Sequence, residues 1–169
     1  MKTFYTLDCE FNGLGGQLLS MAVYSPKKSI YLVSGLLRPP WAPEVTLLDP
    51  WVLENVAPFT FQTPPSVQTI FFDSPTDLSG HLERFFAGTH PAISTDWPDD
   101  IKYFCEALIT GPGTMIDIPG ITFEVHRVDC YPTTINGAVR HNAWWDACIL
   151  YDMLLRSTMK ELFDTDQMQ

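Results

Sequence analysis

The N-terminal part of the chain contains three strand-like segments joined by short turns, and this feature constrains the fold most. Residues 2–11, 17–24 and 29–33 are rich in the apolar, β-branched and aromatic side chains that favour strands. A glycine-rich turn over residues 12–16 and a proline-containing turn over residues 25–28 separate them. Short connections of this kind join antiparallel neighbours, so the pattern predicts a three-stranded meander.

Helices and strands alternate along the rest of the chain. The predicted elements are a short helix from Asp49-Pro50, a helix from Ser74-Pro75 to Gly88, a strand over residues 91–95, a helix over residues 99–109, a strand over residues 121–128 and a helix over residues 141–159. This order predicts an α/β fold with a mixed β-sheet flanked by helices. Because we find no internal repeat or dividing linker, we expect residues 1–169 to form a single domain.

Composition limits the classes of protein to which the chain can belong. Apolar residues make up 46% and charged residues 18%, which favours a folded core over disorder. No apolar run approaches the length of about 18 residues needed to span a membrane, so we expect a cytoplasmic protein without a membrane partner. The net charge of −10 is unusual for a protein that binds nucleic acid. A divalent cation held by carboxylates would, however, invert the charge locally and allow an acidic pocket to accept phosphate.

Two acids lie side by side on the first predicted strand. Asp8 and Glu10 are two residues apart, so their side chains point to the same face of the sheet. Placing two carboxylates together on a core strand is costly unless a positive group lies between them. Oxygen-rich sites of this kind suit Mg²⁺ or Mn²⁺.

Two further acidic segments follow. Asp96, Asp99 and Asp100 lie where a strand runs into a helix, and at least one of them is expected only to cap that helix. His141 and Asp146 are five residues apart, or about 140° around a helix, so they would not share a site as two ligands on one helical face. If His141 instead precedes the helix, it can lie over a metal held by Asp146; taken alone, it would be a solvated histidine.

In this order the three segments resemble the exonuclease motifs of the DEDDh superfamily of 3′→5′ exonucleases. Members include the proofreading subunit of bacterial DNA polymerase, ribonuclease T and oligoribonuclease. The short chain, the Asp8-Cys9-Glu10-Phe11 start and the cysteine five residues after Asp100 look most like the compact mycobacterial-type exoribonuclease branch. The resemblance runs from residue 8 to about residue 156, and it implies a ribonuclease H-like fold.

The resemblance also implies roles for individual residues. Asp8, Glu10, Asp100 and Asp146 would ligate two Mg²⁺ or Mn²⁺ ions, with Asp96 as the second choice for the middle acid. His141 would be the general base that takes a proton from the attacking water. Relatives hold the terminal nucleotide in the loop after the first strand, so Phe11, Asn12, Gly13 and Leu14 are expected to bind the substrate, with a plain glycine-rich turn as the alternative. Arg140 lies close to the third motif and is a further candidate for contact with phosphate, although a solvated surface position is the commoner fate of such a residue. Trp41, Trp97 and Trp144 are candidates for stacking on bases, although tryptophans are more often packing residues.

The expected function is therefore hydrolysis of phosphodiester bonds from the 3′ end of a single-stranded or overhanging nucleic acid. RNA is favoured over DNA only because of the likeness to the exoribonuclease branch. A DNA exonuclease, a non-catalytic nucleic-acid-binding scaffold and a phosphohydrolase of small nucleotides remain alternatives. By analogy with relatives, we also expect a possible homodimer, formed through exposed apolar residues between positions 36 and 51.

Overall fold

The computed structural model describes residues 2–41, 43–126 and 135–166 of the chain. The strands are β1 (Lys2–Phe11), β2 (Leu18–Tyr24), β3 (Ile30–Ser34), β4 (Thr69–Phe72), β5 (His90–Thr95), β6 (Ile109–Gly111), β7 (Thr114–Met115) and β8 (Thr122–Val125). The α-helices are α1 (Pro50–Asn55), α2 (Pro75–Phe86), α3 (Pro98–Leu108) and α4 (Ala143–Asp166). Short 3₁₀ turns occur at Gly35–Leu37, Pro43–Leu47 and Ala57–Phe59.

Six strands form one mixed sheet in the order β4-β3-β2-β1-β5-β8, and β6 and β7 form a separate small hairpin. β1, β2 and β3 pair antiparallel, which confirms the predicted meander. β5 pairs parallel with β1, and β8 pairs parallel with β5. The α/β architecture with a mixed sheet and flanking helices is therefore confirmed, and it is consistent with a ribonuclease H-like fold.

One strand of the sheet was not predicted. β4 contains only four residues and follows an irregular proline-rich segment, so its sequence offers no alternation long enough to identify a strand. It pairs parallel with β3 and extends the sheet beyond the meander. The strand predicted over residues 121–128 is shorter in the structure, at Thr122–Val125, and residues 127 and 128 lie outside the described part.

Each face of the sheet carries its own hydrophobic core. On the face covered by α2 and α3, the buried side chains include Tyr5, Leu7, Cys9, Met21, Val23, Leu82, Phe86, Ile93 and Phe104. On the face covered by α1 and α4, they include Leu19, Ala22, Tyr31, Val33, Leu37, Val52, Trp144, Trp145 and Ala147. Because side chains alternate along β1, consecutive residues of that strand point to opposite faces of the sheet and pack into different cores.

Helix α4 crosses the sheet directly over its central strands. The hydroxyl of Thr6 on β1 donates a hydrogen bond to the carbonyl oxygen of Ala147 at 2.7 Å, and both residues are buried. This contact fixes the start of α4 beside the middle of β1. None of the helices in the described part of the chain has the length and apolar character that crossing a membrane requires.

Candidate active site

The candidate site lies at the edge of the sheet where the parallel strands β1 and β5 end. Their pairing runs from Lys2 and His90 to Thr6 and Ser94. Beyond these pairs, β1 continues through Asp8 to Phe11, whereas β5 ends and the chain turns into α3. The carboxyl ends of adjacent parallel strands are a common place for binding sites in open α/β sheets, because the chain leaves the sheet there and opens a crevice.

Asp8 and Glu10 meet Asp146 at this edge. One carboxylate oxygen from each of the three residues lies within 4.8 Å of the other two. Asp8 and Glu10 share a face of β1 because they are two residues apart, and Asp146 lies in the first turn of α4, which packs over that face. The sequence-predicted acids of the first and third motifs are thus brought together.

Asp100, the first choice for the middle acid, is held in place by two hydrogen bonds. Its Oδ1 accepts from the backbone N–H of Cys9 at 3.2 Å, and its Oδ2 accepts from the hydroxyl of Thr95 at 2.5 Å. The side chain is only 1% exposed. Asp100 therefore bridges the end of β5 and the acidic end of β1.

Asp96, the second choice, lies in the same place. Carboxylate oxygens of Asp8, Asp96 and Asp100 also lie within 4.8 Å of one another. Asp99, by contrast, accepts a hydrogen bond from the indole N–H of Trp97 at 3.1 Å, and it belongs to neither acidic group among the described residues. The structure thus places both candidates for the middle acid, Asp96 and Asp100, close to Asp8.

The surroundings of these carboxyl groups disfavour their ionised forms. Burial raises the pKa of Asp8 and of Glu10 well above the usual range, and the neighbouring acids raise both further. Burial also raises the pKa of Asp100 to about 8 and that of Asp146 to about 7. Loss of solvation and like charges thus act in the same direction, against the ionised form.

One oxygen in this cluster is buried without a partner. Oδ2 of Asp8 is inaccessible to solvent and makes no hydrogen bond with the described residues. A buried acceptor of this kind costs about 1–3 kcal/mol unless something satisfies it. Carboxylate oxygens converging on a common point are the ligands that Mg²⁺ and Mn²⁺ prefer, so the residues fit a divalent cation.

His141 precedes α4 rather than forming its first turn, which corrects the predicted helix start at residue 141. Its backbone has φ of 58°, in the left-handed region. The imidazole is half-buried and contacts the indole of Trp51 edge-on, with ring centroids 5.0 Å apart. Burial lowers the pKa of His141, and the charge of Arg140 lowers it further.

Asn142 anchors the turn that carries His141. Its side-chain oxygen accepts from the backbone N–H groups of Trp144 and Trp145, at 3.1 and 3.2 Å, and so caps α4. Its amide nitrogen donates to the carbonyl oxygens of Phe59 and Thr60, at 2.8 and 3.2 Å. The fully buried Asn142 therefore fixes both neighbours in the chain, His141 and the first turn that contains Asp146.

The acids and His141 line one cavity of about 510 Å³. Its walls are formed by Asp8, Cys9, Glu10, Phe11, Trp51, Asp96, Trp97, Asp100, Arg140, His141 and Asp146. Glu10, Phe11, Trp51 and Trp97 also line an adjoining cavity of about 430 Å³, together with Gly13, Leu14, Asp49, Val52 and Asp99. A larger cavity of about 660 Å³ lies elsewhere and is lined, among the described residues, by none of the predicted site residues.

Four of the five predicted substrate-binding residues line one or both of these cavities. Phe11 and Arg140 line the main cavity, and Gly13 and Leu14 line the adjoining one, where Leu14 is 93% exposed. Asn12 lines neither cavity. Its side-chain oxygen instead accepts from the backbone N–H of Asp49 at 2.7 Å and ties the glycine-rich loop to the start of α1.

Of the three tryptophans proposed to stack on bases, only Trp97 lines the cavities. Trp97 is 57% exposed, whereas Trp144 is buried in the core under α4. Trp41 is exposed but lies outside both cavities. Trp51 was not singled out from the sequence, although the Asp49-Pro50 helix start placed it in the first turn of α1. Thr95 and Asn142 were missed as well, because only the folded chain brings them to their partners.

Comparison with models of known protein families gives no match, and comparison with curated proteins gives no significant match.

Proposed function

We propose that this chain is a metal-dependent 3′→5′ exonuclease of the DEDDh type, with RNA favoured over DNA as its substrate. The observation that carries the proposal is the convergence of Asp8, Glu10, Asp100 and Asp146 in the cavity that also holds His141. The four acids come from β1, α3 and α4, so their meeting is a property of the fold rather than of a local run of charge.

The acids supply the ligands that this chemistry needs. When bound by these residues, two divalent cations would stabilise both the attacking and the leaving oxygen of an in-line displacement at phosphorus. Asp100 is fixed by Cys9 and Thr95, so it can offer its remaining lone pairs without rearrangement. Asp146 is fixed through the backbone of the capped first turn of α4.

His141 is suited to act as the general base. Its lowered pKa keeps the imidazole neutral near pH 7, so a ring nitrogen is able to accept a proton from water. The edge contact with Trp51 restrains the ring, and the turn before α4 places it in the same cavity as the acids. The imidazole of His141 would thus be uncharged before it takes the proton from water.

Features around the cavity favour the end of a single strand as substrate. Trp51, Trp97 and Leu14 present exposed apolar surface beside the acids, and aromatic rings stack on bases of any sequence. Among the Lys and Arg residues in the described part, only Arg140 lines either cavity. Recognition would therefore depend on stacking and bound cations, and affinity should fall only slightly with added salt.

The expected homodimer stays a prediction. Trp41 and Leu47 lie in the segment proposed for pairing and are 42% and 79% exposed. Sedimentation of the purified protein across a range of concentrations would test it.

A gel time course tests the proposed activity. The substrates are 5′-labelled single-stranded RNA and DNA of equal sequence, each incubated with Mg²⁺, Mn²⁺ or EDTA. Wild type is compared with Asp146→Asn and with Asp152→Asn, a matched change on the same helix. Asp152 forms a 2.7 Å ion pair with Arg156 and lies in neither acidic group.

We expect a cation-dependent ladder that shortens from the 3′ end, is lost in Asp146→Asn and persists in Asp152→Asn. Faster shortening of DNA than of RNA would favour the DNA exonuclease. Binding of either strand without shortening would favour the scaffold, and cleavage of mononucleotides alone would favour a small-nucleotide phosphohydrolase. A ladder that persists in EDTA would contradict the metal-dependent mechanism.

A further inference from the structure

The glycine-rich loop after β1, residues 12–17, is closed on itself by its own backbone. The N–H of Asn12 donates a hydrogen bond to the carbonyl oxygen of Gln17 at 2.9 Å. A Cβ on Gly16 would lie 1.8 Å from the carbonyl oxygen of Asn12, so the closed shape depends on glycine at this position. Leu14 is left at the tip of the loop, where it is 93% exposed.

The side chain of Tyr103 on α3 holds the second half of this loop. Its hydroxyl donates a hydrogen bond to the carbonyl oxygen of Gly16 at 2.6 Å. Tyr103 is buried, and burial raises the pKa of its hydroxyl, which therefore stays protonated and able to donate. The ring of Tyr103 also stacks on Phe11, with centroids 4.8 Å apart and 27° between the planes. Tyr103 thus contacts the chain just before the loop and again near its end.

We propose that Tyr103 is a positioning residue for the substrate, which fixes the glycine-rich loop relative to the acids before nucleic acid binds. The inference rests on the proposed function, because it concerns the loop expected to hold the terminal nucleotide. It goes beyond that proposal, since Tyr103 is not among the described residues that line the two cavities of the candidate site. Asn12 ties the first half of the loop to α1, and Tyr103 ties the second half to α3.

The helix that carries Tyr103 also carries a buried acid of the site. Asp100 and Tyr103 are three residues apart in α3, so their side chains lie on the same side of the helix. Asp100 accepts from the backbone N–H of Cys9 at 3.2 Å, and Tyr103 contacts Phe11 and Gly16. One turn of α3 therefore fixes the position of the acid and the position of the loop together.

An open cavity borders the loop beside Tyr103. Gly16, Gln17 and Tyr103 line the cavity of about 660 Å³, whose walls also include residues from the start of α2. Without the hydroxyl of Tyr103, the carbonyl oxygen of Gly16 would bond to water and the loop could move into this space. A loop that is already ordered favours binding, because the entropic cost of ordering it is not incurred when the ligand binds. The hydroxyl should therefore affect KM rather than kcat.

The test is steady-state kinetics on a single-stranded oligonucleotide, together with hydrogen exchange of the free protein followed by mass spectrometry. Wild type is compared with Tyr103→Phe, which removes the hydroxyl and keeps the ring that stacks on Phe11. Tyr5→Phe is the matched control, since Tyr5 is a buried tyrosine of the same core whose hydroxyl lies near Thr89, before β5. The melting temperature would establish that both variants are folded.

We expect Tyr103→Phe to raise KM by about 3- to 10-fold, as loss of one hydrogen bond implies, with kcat within about twofold of wild type. Hydrogen exchange over residues 12–17 should be faster in Tyr103→Phe and unchanged in Tyr5→Phe. An unchanged KM, unchanged exchange over the loop, or an equal fall in kcat and kcat/KM would overturn the inference.

The same experiments separate this inference from the proposed function. A ladder from wild type with an unchanged KM in Tyr103→Phe would overturn the inference alone and leave the exonuclease proposal standing. No ladder from wild type would overturn the proposed function and, with it, the role of Tyr103 toward the substrate. Equally fast exchange over the loop in Tyr5→Phe would also overturn the inference, because it would indicate a general loss of stability.

Discussion

In the absence of divalent cations, the free energy of unfolding should fall as the pH rises. Without cations, only bound protons reduce the negative charge of the clustered carboxyl groups, and these protons are lost at high pH. Burial raises the pKa of Asp100 to about 8 and that of Asp146 to about 7. In the unfolded chain both carboxyl groups lose their protons near pH 4. Between those limits the folded protein holds more protons than the unfolded chain, so the free energy of unfolding falls with increasing pH.

The size of the effect follows from the number of protons. Each extra proton held by the folded state lowers the free energy of unfolding by about 1.4 kcal/mol per pH unit. The retained proton of Asp100 alone corresponds to about 2 kcal/mol between about pH 6.5 and 8, and Asp146 adds to this below about pH 7. His141 contributes in the opposite direction but only at lower pH, because its pKa lies below 6.5. For a chain of this length, about 2 kcal/mol corresponds to about 4–8 °C in melting temperature.

Melting followed by circular dichroism across this pH range would measure the effect. In EDTA the melting temperature should fall with rising pH, and the fall should be smaller in Asp100→Asn, which has no proton to lose. With saturating Mg²⁺ the carboxylates stay ionised and paired, so the decline should largely disappear. A wild-type melting temperature in EDTA that is constant or rises between about pH 6.5 and 8 would refute the reasoning.

Three further changes probe the residues around the acids. His141→Ala should lower kcat by about 10²–10⁴-fold and leave Mn²⁺ affinity unchanged, as steady-state kinetics and calorimetry would show; intact turnover would reject the general base. Trp97→Ala should raise KM for an oligonucleotide by about 5- to 100-fold with little change in kcat, while Trp41→Ala, outside both cavities, should raise neither. Asn142→Ala should lower the free energy of unfolding by about 3 kcal/mol, because it removes the helix cap and the hydrogen bonds to the carbonyl oxygens of Phe59 and Thr60. Denaturant titration would compare it with Ser157→Ala on α4, and equal stabilities would contradict that role.

The fold was largely predictable because its strongest signals are local. The short turns of the meander, the proline-initiated helices and the alternation that follows are each encoded over a few neighbouring residues. Two parts of the fold were missed, β4 and the small hairpin of β6 and β7. β4 has four residues and owes its conformation to pairing with β3. The residues of β4 form a strand because of this tertiary contact, and their local sequence alone does not predict it.

The acids of the candidate site could be named from the sequence, whereas the hydrogen bonds that position them could not. Two residues on one strand must share a face, so the adjacency of Asp8 and Glu10 follows from the sequence. The bonds from Thr95 and Cys9 to Asp100 depend on how the end of β5 lies against β1. The left-handed backbone of His141 likewise depends on Asn142, which is anchored to carbonyl groups more than 80 residues away along the chain.

The link between the glycine-rich loop and α1 has a consequence for how this protein can change over evolution. Asn12 accepts from the N–H of Asp49, and the side chain of Asp49 accepts from the N–H of Trp51, which contacts His141. Substitutions in the loop and in the first turn of α1 should therefore show epistasis, since a change in either shifts the same indole. A library that varies both segments together should yield active variants that libraries varying each alone do not contain.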